Sequence, residues 1–190
     1  MILSKIDVQY WNQDIDIIGI DEVGRGPMAG PCIVVGIVLP RYFDHPLIKD
    51  SKSLSQKQRE AAYRIINAHA KQIIIKSVSV ALIDELNIYT ATQEAMEWIA
   101  NTSHCFALTD AMPICAPHES LIKGDLHSIS IAAASIVAKV VRDDLMMSYH
   151  FMYPMFGFNK HKGYGTFFHK AMMKQYGLSP IHRKSFTFKK

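Results

Sequence analysis

Residues 17–27 read IIGIDEVGRGP, an apolar run that leads directly into the adjacent carboxylates of Asp21 and Glu22. Ionised carboxylates beside a core are costly unless something compensates them, and a divalent cation is the usual compensation. Hard cations such as Mg²⁺ prefer oxygen ligands. Gly24 and Gly26 allow a tight turn and a close backbone approach, and Arg25 between them suits a phosphate group. The stretch predicts a buried strand that leads into metal-assisted chemistry on a phosphorylated substrate.

Length and composition predict one globular domain over residues 1–190, with 49% hydrophobic and 20% charged residues. Three scattered cysteines, without metal-site spacing, indicate free thiols in a reducing compartment. Residues 1–14 lack the apolar core of a signal peptide, and no apolar run reaches the roughly 18–20 residues of a membrane span. We therefore expect a soluble cytoplasmic protein.

The charge distribution is uneven. Residues 151–190 hold eight Lys and Arg residues, no Asp or Glu, and ten of the nineteen aromatic residues. Basic groups interleaved with aromatic rings suit a nucleic acid, because cations meet phosphates and rings stack on bases or sugars. The alternative is a C-terminal helix with a solvated basic face and its aromatic residues in the core. The absence of acids favours nucleic acid.

Periodicity predicts an α/β layer fold with a mixed five-stranded sheet flanked by helices and a helical C-terminal segment. The predicted strands are 15–21, 31–39, 73–80, 105–109 and a short one at 121–122. The predicted helices are 55–70, which opens with a capping box, 88–102, 128–149 and about 164–176.

Acidic residues recur where short apolar strands stop: Asp21 with Glu22, Asp110 and Asp125. Carboxylates at the ends of neighbouring strands can converge, as sites in open α/β sheets usually do. Their mutual repulsion raises their pKa values, and a pair of cations about 4 Å apart would relieve it and form a phosphoryl-transfer site. Taken singly, Asp110 or Asp125 could equally be a turn or cap residue. The histidines show no helical ligand pair, so a zinc site is not expected.

Ordered motifs along residues 15–188 resemble those of the type 2 ribonucleases H, the ribonuclease HII family. They are GIDEVGRGP at 19–27, KDSKSLS at 49–55, NIxxATxxAM at 87–96, KGD at 123–125, AASIVAKVVRD at 133–143, KGYGT at 162–166, YGLSP at 176–180 and HRKSF at 182–186.

This resemblance implies an RNase H-like fold and endonucleolytic cleavage of RNA in an RNA–DNA hybrid. It also implies incision 5′ of a single ribonucleotide in duplex DNA, leaving a 5′-phosphate and a 3′-hydroxyl, with Mg²⁺ or Mn²⁺ as cofactor. The partners implied are RNA–DNA hybrid and ribonucleotide-containing duplex DNA, with no membrane, and we expect a monomer.

Residue roles follow from the same resemblance. Asp21, Glu22, Asp110 and Asp125 match the four catalytic, metal-binding carboxylates. Gly24, Arg25 and Gly26 match the turn that senses the ribonucleotide, and Tyr164 matches a tyrosine that stacks on the neighbouring sugar. A sensor of the 2′-hydroxyl needs such a close backbone approach.

Lys52, Ser135, Lys139 and Arg142 are further candidates for substrate phosphate contacts. The last three share one face of the 128–149 helix, although a solvated face explains that spacing equally well. Asp143 is expected to be structural, bonded to a neighbouring turn. The family pattern has glycine where Ala111 follows Asp110, which questions the local turn and not the carboxylate.

Two alternatives remain. Ribonuclease HIII shares the fold but carries an extra N-terminal DNA-binding domain, for which the roughly fourteen residues before the first strand leave no room. The other is a non-catalytic nucleic-acid-binding module on a decayed RNase H fold, which the intact set of carboxylates disfavours.

Overall fold

The computed structural model describes residues 5–186. The strands are β1 (Ile17–Val23), β2 (Cys32–Val38), β3 (Gln72–Val78), β4 (Phe106–Asp110) and β5 (His118–Leu121). The helices are α1 (Lys5–Trp11), α2 (Gln56–His69), α3 (Val80–Leu86), α4 (Ile88–Ser103), α5 (Ile129–Met152), α6 (Phe158–His161) and α7 (Phe167–Tyr176). Short 3₁₀ turns occupy Ser51–Ser53, Gly124–Leu126 and Pro154–Phe156.

The five strands form one mixed sheet in the order β3-β2-β1-β4-β5. The strand β1 pairs antiparallel with β2 and parallel with β4, while β2–β3 is antiparallel and β4–β5 is parallel. The predicted mixed five-stranded sheet is therefore confirmed, and β1 lies at its centre with its two acidic residues.

Helices cover both faces of the sheet. Side chains alternate along a strand, so Ile17 and Ile33 join a core with α1, α2 and α5, whereas Ile18 and Val34 join a second core with α3 and α4. Every residue of β2 is buried, as expected for a strand covered on both sides.

Gly19 lets α5 approach β1 closely. A Cβ atom added there would lie 2.2 Å from the backbone carbon of Ser130. From this contact, the five residues of α5 to Ser135 span about 7.5 Å, and the two residues of β1 to Asp21 span about 6.6 Å. This near match brings Ser135 beside Asp21, and the Ser135 hydroxyl opposes the rise in the pKa of that carboxyl.

Three of the helices were not predicted, namely α1, α3 and the short α6. The helix α1 buries Trp11 in the first core, although residues 1–14 were expected only to lack a signal peptide. The predicted strand 73–80 stops at Val78, because the Ser79 side chain accepts a hydrogen bond from the N–H of Leu82 and caps α3.

Three predicted boundaries also shift. β1 continues through Asp21 and Glu22 to Val23, so these acids lie within the strand. The predicted strand 121–122 is instead His118–Leu121, and Asp125 lies on the 3₁₀ turn that follows. The last helix begins at Phe167 because Thr166 is its N-cap.

The C-terminal segment forms a third apolar cluster, in which Phe156 and Phe158 are buried with Met28, Met146 and Ile181. Other aromatic rings of the segment, including Tyr164 and Phe167, are exposed. The core alternative therefore holds for Phe156 and Phe158, while nucleic-acid contact by the exposed rings stays a prediction. Across residues 5–186, we find no helix with the length and apolar character that crossing a membrane requires.

Candidate active site

A cavity of about 320 Å³ opens where β1, β4 and α5 meet the 24–26 turn. The predicted site residues in its wall are Asp21, Glu22, Gly24, Arg25, Gly26, Lys52, Asp110, Ser135, Lys139 and Tyr164, and Val23, Ser51 and Arg59 complete it. Tertiary structure therefore brings together carboxylates, cations, a glycine turn and an aromatic ring from distant parts of the sequence.

The two carboxylates of β1 are buried side by side. Asp21 is 6% exposed, and its Oδ1 accepts a hydrogen bond of 2.7 Å from the N–H of Glu22. Burial raises the pKa of Asp21 well above its usual range, and the charges of Glu22 and Asp110 raise it further. Burial also raises the pKa of Glu22 to about 7, although the nearby Arg25 opposes that shift.

Asp110 joins the acidic residues into one electrostatic group. It ends β4, and its Oδ1 accepts a hydrogen bond of 2.8 Å from the N–H of Gly124, beside Asp125. The pKa of Asp125 is raised, first by burial and then by the charge of Asp110. Asp125 itself stands outside the wall of the cavity. The predicted mutual raising of pKa values is therefore confirmed for Asp21, Glu22 and Asp125.

The donor chemistry of this group fits a hard divalent cation. Carboxylate oxygens supply the ligands, and Glu22 Oε2 is buried without a hydrogen-bond partner. Within residues 5–186, however, no three Asp, Glu, His or Cys side chains are arranged to hold a metal ion as they stand. The buried, mutually repelling carboxylates thus have the chemistry of a cation site, and the side chains would have to draw together around the ion.

The 24–26 turn leaves no room for a side chain at its first glycine. Gly24 has φ +109°, and an added Cβ would lie 2.2 Å from Arg142 Nε. Gly26 is exposed, and the nearest atom to an added Cβ there is Tyr164 Cε1 at 3.5 Å. The turn therefore faces the ring of Tyr164 across the cavity mouth, and that ring is 48% exposed.

Three of the phosphate candidates lie in the cavity wall with different partners. Lys52 is exposed. Lys139 forms an ion pair of 2.8 Å with Asp143, which was expected to bond to a turn instead. Ser135 is buried and its hydroxyl bonds that of Ser51 at 2.9 Å, next to Asp21, where it opposes the rise in the pKa of that carboxyl.

The prediction that Arg142 contacts phosphate is wrong. Its side chain is fully buried, and its guanidinium donates to the carbonyls of Ala29, Pro31 and Lys162. Arg142 follows Ser135 by seven residues and does lie on the same face of α5. At Arg142, however, that face packs against the loop after β1 and does not line the cavity. Arg142 therefore supports the glycine turn from behind.

Sequence reasoning missed two arginines at the site. Arg59 lines the cavity and donates to the carbonyls of Ser51 and Leu54. Arg183 was counted only as part of a basic tail, yet it is buried and donates to the carbonyls of Gly24, Arg25 and Gly30. The HRKSF motif at 182–186 was the sequence signal that could have found it.

Sequence comparison matches residues 18–189 to a family model described as Ribonuclease HII. A ribonuclease HII of Levilactobacillus brevis is 46% identical over 183 residues, covering 94% of this chain and 71% of that protein. A ribonuclease HII of Acholeplasma laidlawii is 47% identical over 175 residues, covering 90% of this chain and 87% of that protein.

Solved structures share the fold. The RNase HII in a PCNA complex from Archaeoglobus fulgidus has a TM-score of 0.78 at 24% identity, covering 93% of this chain and 97% of that one. Ribonuclease H2 from Pyrococcus horikoshii OT3 has a TM-score of 0.76 at 25% identity, covering 90% and 94%. A Bst-RNase HIII in complex with Mn²⁺ reaches a TM-score of 0.59 at 16% identity, covering 86% and 63%.

Proposed function

We propose how this chain, which belongs to the ribonuclease HII family of type 2 ribonucleases H, recognises and cuts its substrate. The family acts on RNA–DNA hybrids and depends on divalent metal ions. The proposal is that this chain also nicks duplex DNA on the 5′ side of a single embedded ribonucleotide, leaving a 5′-phosphate and a 3′-hydroxyl.

The carboxylates are the proposed catalytic residues. Asp21, Glu22 and Asp110 would hold the ions in the cavity, with Asp125 in the outer part of the site. Support comes from the buried, unpartnered Glu22 Oε2 and from the raised pKa values of Asp21 and Glu22. Ser135 keeps the Asp21 carboxylate oriented, so that less reorganisation is needed at the moment of reaction.

When bound, a pair of Mg²⁺ or Mn²⁺ ions would supply an activated water and a counter-charge for the leaving oxygen. The chain's own contribution is to position the strand to be cut. Lys52 and Lys139, in the same wall as the acids, are the proposed phosphate contacts. Arg25 lies 3.6 Å from Glu22, close enough to steady a phosphate beside the acids.

Ribonucleotide recognition is assigned to the 24–26 turn and Tyr164. The 2′-hydroxyl is what distinguishes RNA from DNA, because it both donates and accepts a hydrogen bond. Gly24 and Gly26 let main-chain groups approach it, while the exposed ring of Tyr164 stacks on the adjacent sugar. The observation that carries the proposal is that this turn, this ring and the acids line one cavity.

The test is nicking of two matched duplexes, one all-DNA and one with a single ribonucleotide, in the presence of Mg²⁺ or Mn²⁺. We expect one cut, 5′ of the ribonucleotide, and none in the all-DNA duplex or in excess chelator. End analysis should give a 5′-phosphate and a 3′-hydroxyl. Cleavage of a long hybrid without nicking at the single ribonucleotide would refute the proposal and leave the family activity standing. The cytoplasmic location and the monomeric state remain predictions.

A further inference from the structure

Arg183 lies behind the glycine turn and holds it by carbonyl groups. Its guanidinium donates to Gly24 O at 2.6 Å, to Arg25 O at 2.9 Å, and to Gly30 O through Nε at 2.9 Å and Nη2 at 2.8 Å. Its own N–H donates to Met28 O at 2.9 Å. Burial lowers the pKa of this guanidinium to about 10, as expected for a cation whose bonds go to neutral carbonyls.

His182, the preceding residue, reaches the other side of the cavity mouth through a second histidine. The N–H of Ser179 donates to His182 Nδ1 at 2.8 Å, so that nitrogen is an acceptor and Nε2 carries the proton of the neutral ring. Nε2–H then donates to His169 Nε2 at 3.0 Å. His169 Nδ1–H in turn donates to the carbonyl of Tyr164 at 2.9 Å.

This chain of bonds is consistent only with neutral rings. A proton added to His169 Nε2 would place two N–H groups against each other in the bond to His182. Burial lowers the pKa of both rings, that of His169 to about 4. His161, stacked on His169 with ring centroids 4.5 Å apart, is also held neutral, since it accepts from Gly163 N–H and bonds Phe156 O.

The main chain connects the two turns directly as well. The N–H of Met28 donates to Gly163 O at 2.9 Å, and the N–H of Gly30 donates to Ile181 O at 2.8 Å. An added Cβ at Gly163 would lie 2.4 Å from Ala29 O, so these backbones are in contact. The loop after β1 is thus held between the Tyr164 turn and the segment that carries His182 and Arg183.

We propose that His182 and Arg183 are positioning residues for ribonucleotide recognition, which together set the distance between the 24–26 turn and the ring of Tyr164. The inference rests on the proposed function. One dipeptide bonds both halves of the recognition site, Arg183 directly and His182 through His169. A small displacement of either half would separate a backbone that contacts the 2′-hydroxyl from a ring that contacts the next sugar.

The test compares kcat/KM on a single-ribonucleotide duplex with kcat/KM on a long RNA–DNA hybrid. Arg183→Lys keeps the charge but cannot reach all three carbonyls, and Arg183→Met keeps bulk without a donor. We expect the ratio of single-ribonucleotide to hybrid activity to fall about tenfold in both, because a hybrid offers many ribonucleotides and a single site offers one. Ile99→Ala, a cavity variant in α4 on the other side of the sheet, controls for lost stability and should leave the ratio unchanged.

A second pair of variants tests the histidine arm if the arginine variants fold poorly. His169→Asn retains a donor near Tyr164 O, whereas His169→Leu retains none. We expect His169→Leu to lower the ratio and His169→Asn to restore most of it, which a purely structural role would not produce. Hydrogen exchange at the Met28 amide, which reports the bond to Gly163 O, should quicken in the variants that lose discrimination.

The two possible failures are distinguishable. Wild-type protein that cuts hybrids but ignores the single ribonucleotide overturns the proposed function, and this inference with it. Wild-type protein that discriminates, together with Arg183→Lys and His169→Leu at an unchanged ratio, overturns the inference alone. Equal losses on both substrates, matched by Ile99→Ala, would show that these residues only stabilise the fold.

Discussion

The Oδ1 atom of Asp110 accepts a hydrogen bond from the main-chain N–H of Gly124 at 2.8 Å. This bond ties the end of β4 to the 3₁₀ turn that carries Asp125. One oxygen of Asp110 thus has a structural partner, while its charge acts on Asp21, Glu22 and Asp125. The structural and electrostatic roles of this carboxylate can therefore be separated by mutation.

Asp110→Asn keeps an oxygen for the Gly124 N–H and removes the charge. We expect turnover to fall by at least about two orders of magnitude, as for Asp21→Asn and Glu22→Gln, because each loses a ligand charge. Substrate binding and thermal stability should persist, whereas Asp110→Ala should also destabilise the turn. Steady-state nicking rates, with binding measured separately, check this. Asp125→Asn should have a smaller effect, since Asp125 stands outside the cavity wall.

The matched control is Asp14→Asn, which removes an exposed carboxylate paired with Arg41 before β1 begins. It should nick at the wild-type rate. Near-wild-type nicking by a folded Asp21→Asn, Glu22→Gln or Asp110→Asn variant would remove that residue from the catalytic set.

Tyr164→Ala should impair cleavage at a single ribonucleotide more than cleavage of a long hybrid. Stacking of this kind is worth about 1–3 kcal/mol, which corresponds to roughly 5–150-fold, and it matters most where one junction must be read. The ratio of kcat/KM on the two substrates measures the effect. Tyr176→Ala, at the exposed end of α7, should leave the ratio unchanged. Equal slowing on both substrates would reassign Tyr164 to a structural role.

The two glycines of the turn should respond differently to alanine. Gly24→Ala should reduce activity on both substrates, because φ is +109° and the new methyl would meet Arg142 Nε at 2.2 Å. Gly26→Ala has space, its nearest neighbour being Tyr164 Cε1 at 3.5 Å, so it should fold normally and lose only substrate contact. Thermal melts combined with nicking assays separate these outcomes. A stable, fully active Gly24→Ala would contradict this geometry.

The free energy of unfolding should fall as pH rises from about 4.5 to 7 on account of Glu22. Folding raises the pKa of this carboxyl from its ordinary 4.5 to about 7, so the folded state binds the proton more tightly than the unfolded state. The stability that this proton gives to the folded state is therefore lost as pH rises across this window. The contribution is roughly 3 kcal/mol at most.

Denaturant unfolding of wild type and Glu22→Gln at several pH values, without metal, checks this sign. The informative quantity is the difference in free energy of unfolding between the two proteins. His169 and His182 have lowered pKa values, so they make the free energy of unfolding decrease as pH falls, which is opposite to the effect of Glu22. Saturating Mg²⁺ should flatten the wild-type profile. A difference that is constant with pH would show that Glu22 titrates normally in the folded protein.

Truncation should separate two roles of the C-terminal segment, residues 151–190: structural support of the site, and positive charge that attracts the substrate. Ending the chain after Gly177 removes Ile181, His182 and Arg183, which are buried, so we expect loss of the folded site rather than only weaker binding. Arg183 therefore does more than add to the positive charge of residues 151–190, because its guanidinium bonds main-chain carbonyls behind the site. Lys189 and Lys190, which belong to the eight basic residues of 151–190, and Phe188, one of its ten aromatic residues, lie outside the described residues.

Ending the chain after Phe186 instead removes two lysines and leaves Arg183 in place. Each phosphate contact contributes about 0.9 to the slope of log K against log salt, so the slope should decrease by up to about 1.8. Binding measured over a range of salt concentrations, with circular dichroism as the folding control, tests this. Unchanged affinity and slope would identify these lysines as solvated surface.

Local signals in the sequence were sufficient for several elements. The capping box at Ser55 and Gln58 marks the start of α2, and both of its hydrogen bonds are present. Ala111, where the resemblance predicted glycine, adopts φ +50°, the left-handed conformation that favours glycine. The departure in sequence therefore identified a strained turn correctly, and the neighbouring carboxylate kept its place in the cavity wall.

The sequence by itself determined the mixed sheet, the acidic residues of β1 and the glycine turn, because strand periodicity, caps and turns depend on residues close together in the chain. Only the tertiary structure decided the environments of Arg142, Arg183 and Lys52, three cationic side chains that the sequence alone does not tell apart. Two of them are buried against main-chain carbonyls and one is exposed at the cavity. Whether a cation meets solvent or a carbonyl depends on which distant segments pack over it, and here those segments are the loop after β1, α5 and residues 181–183.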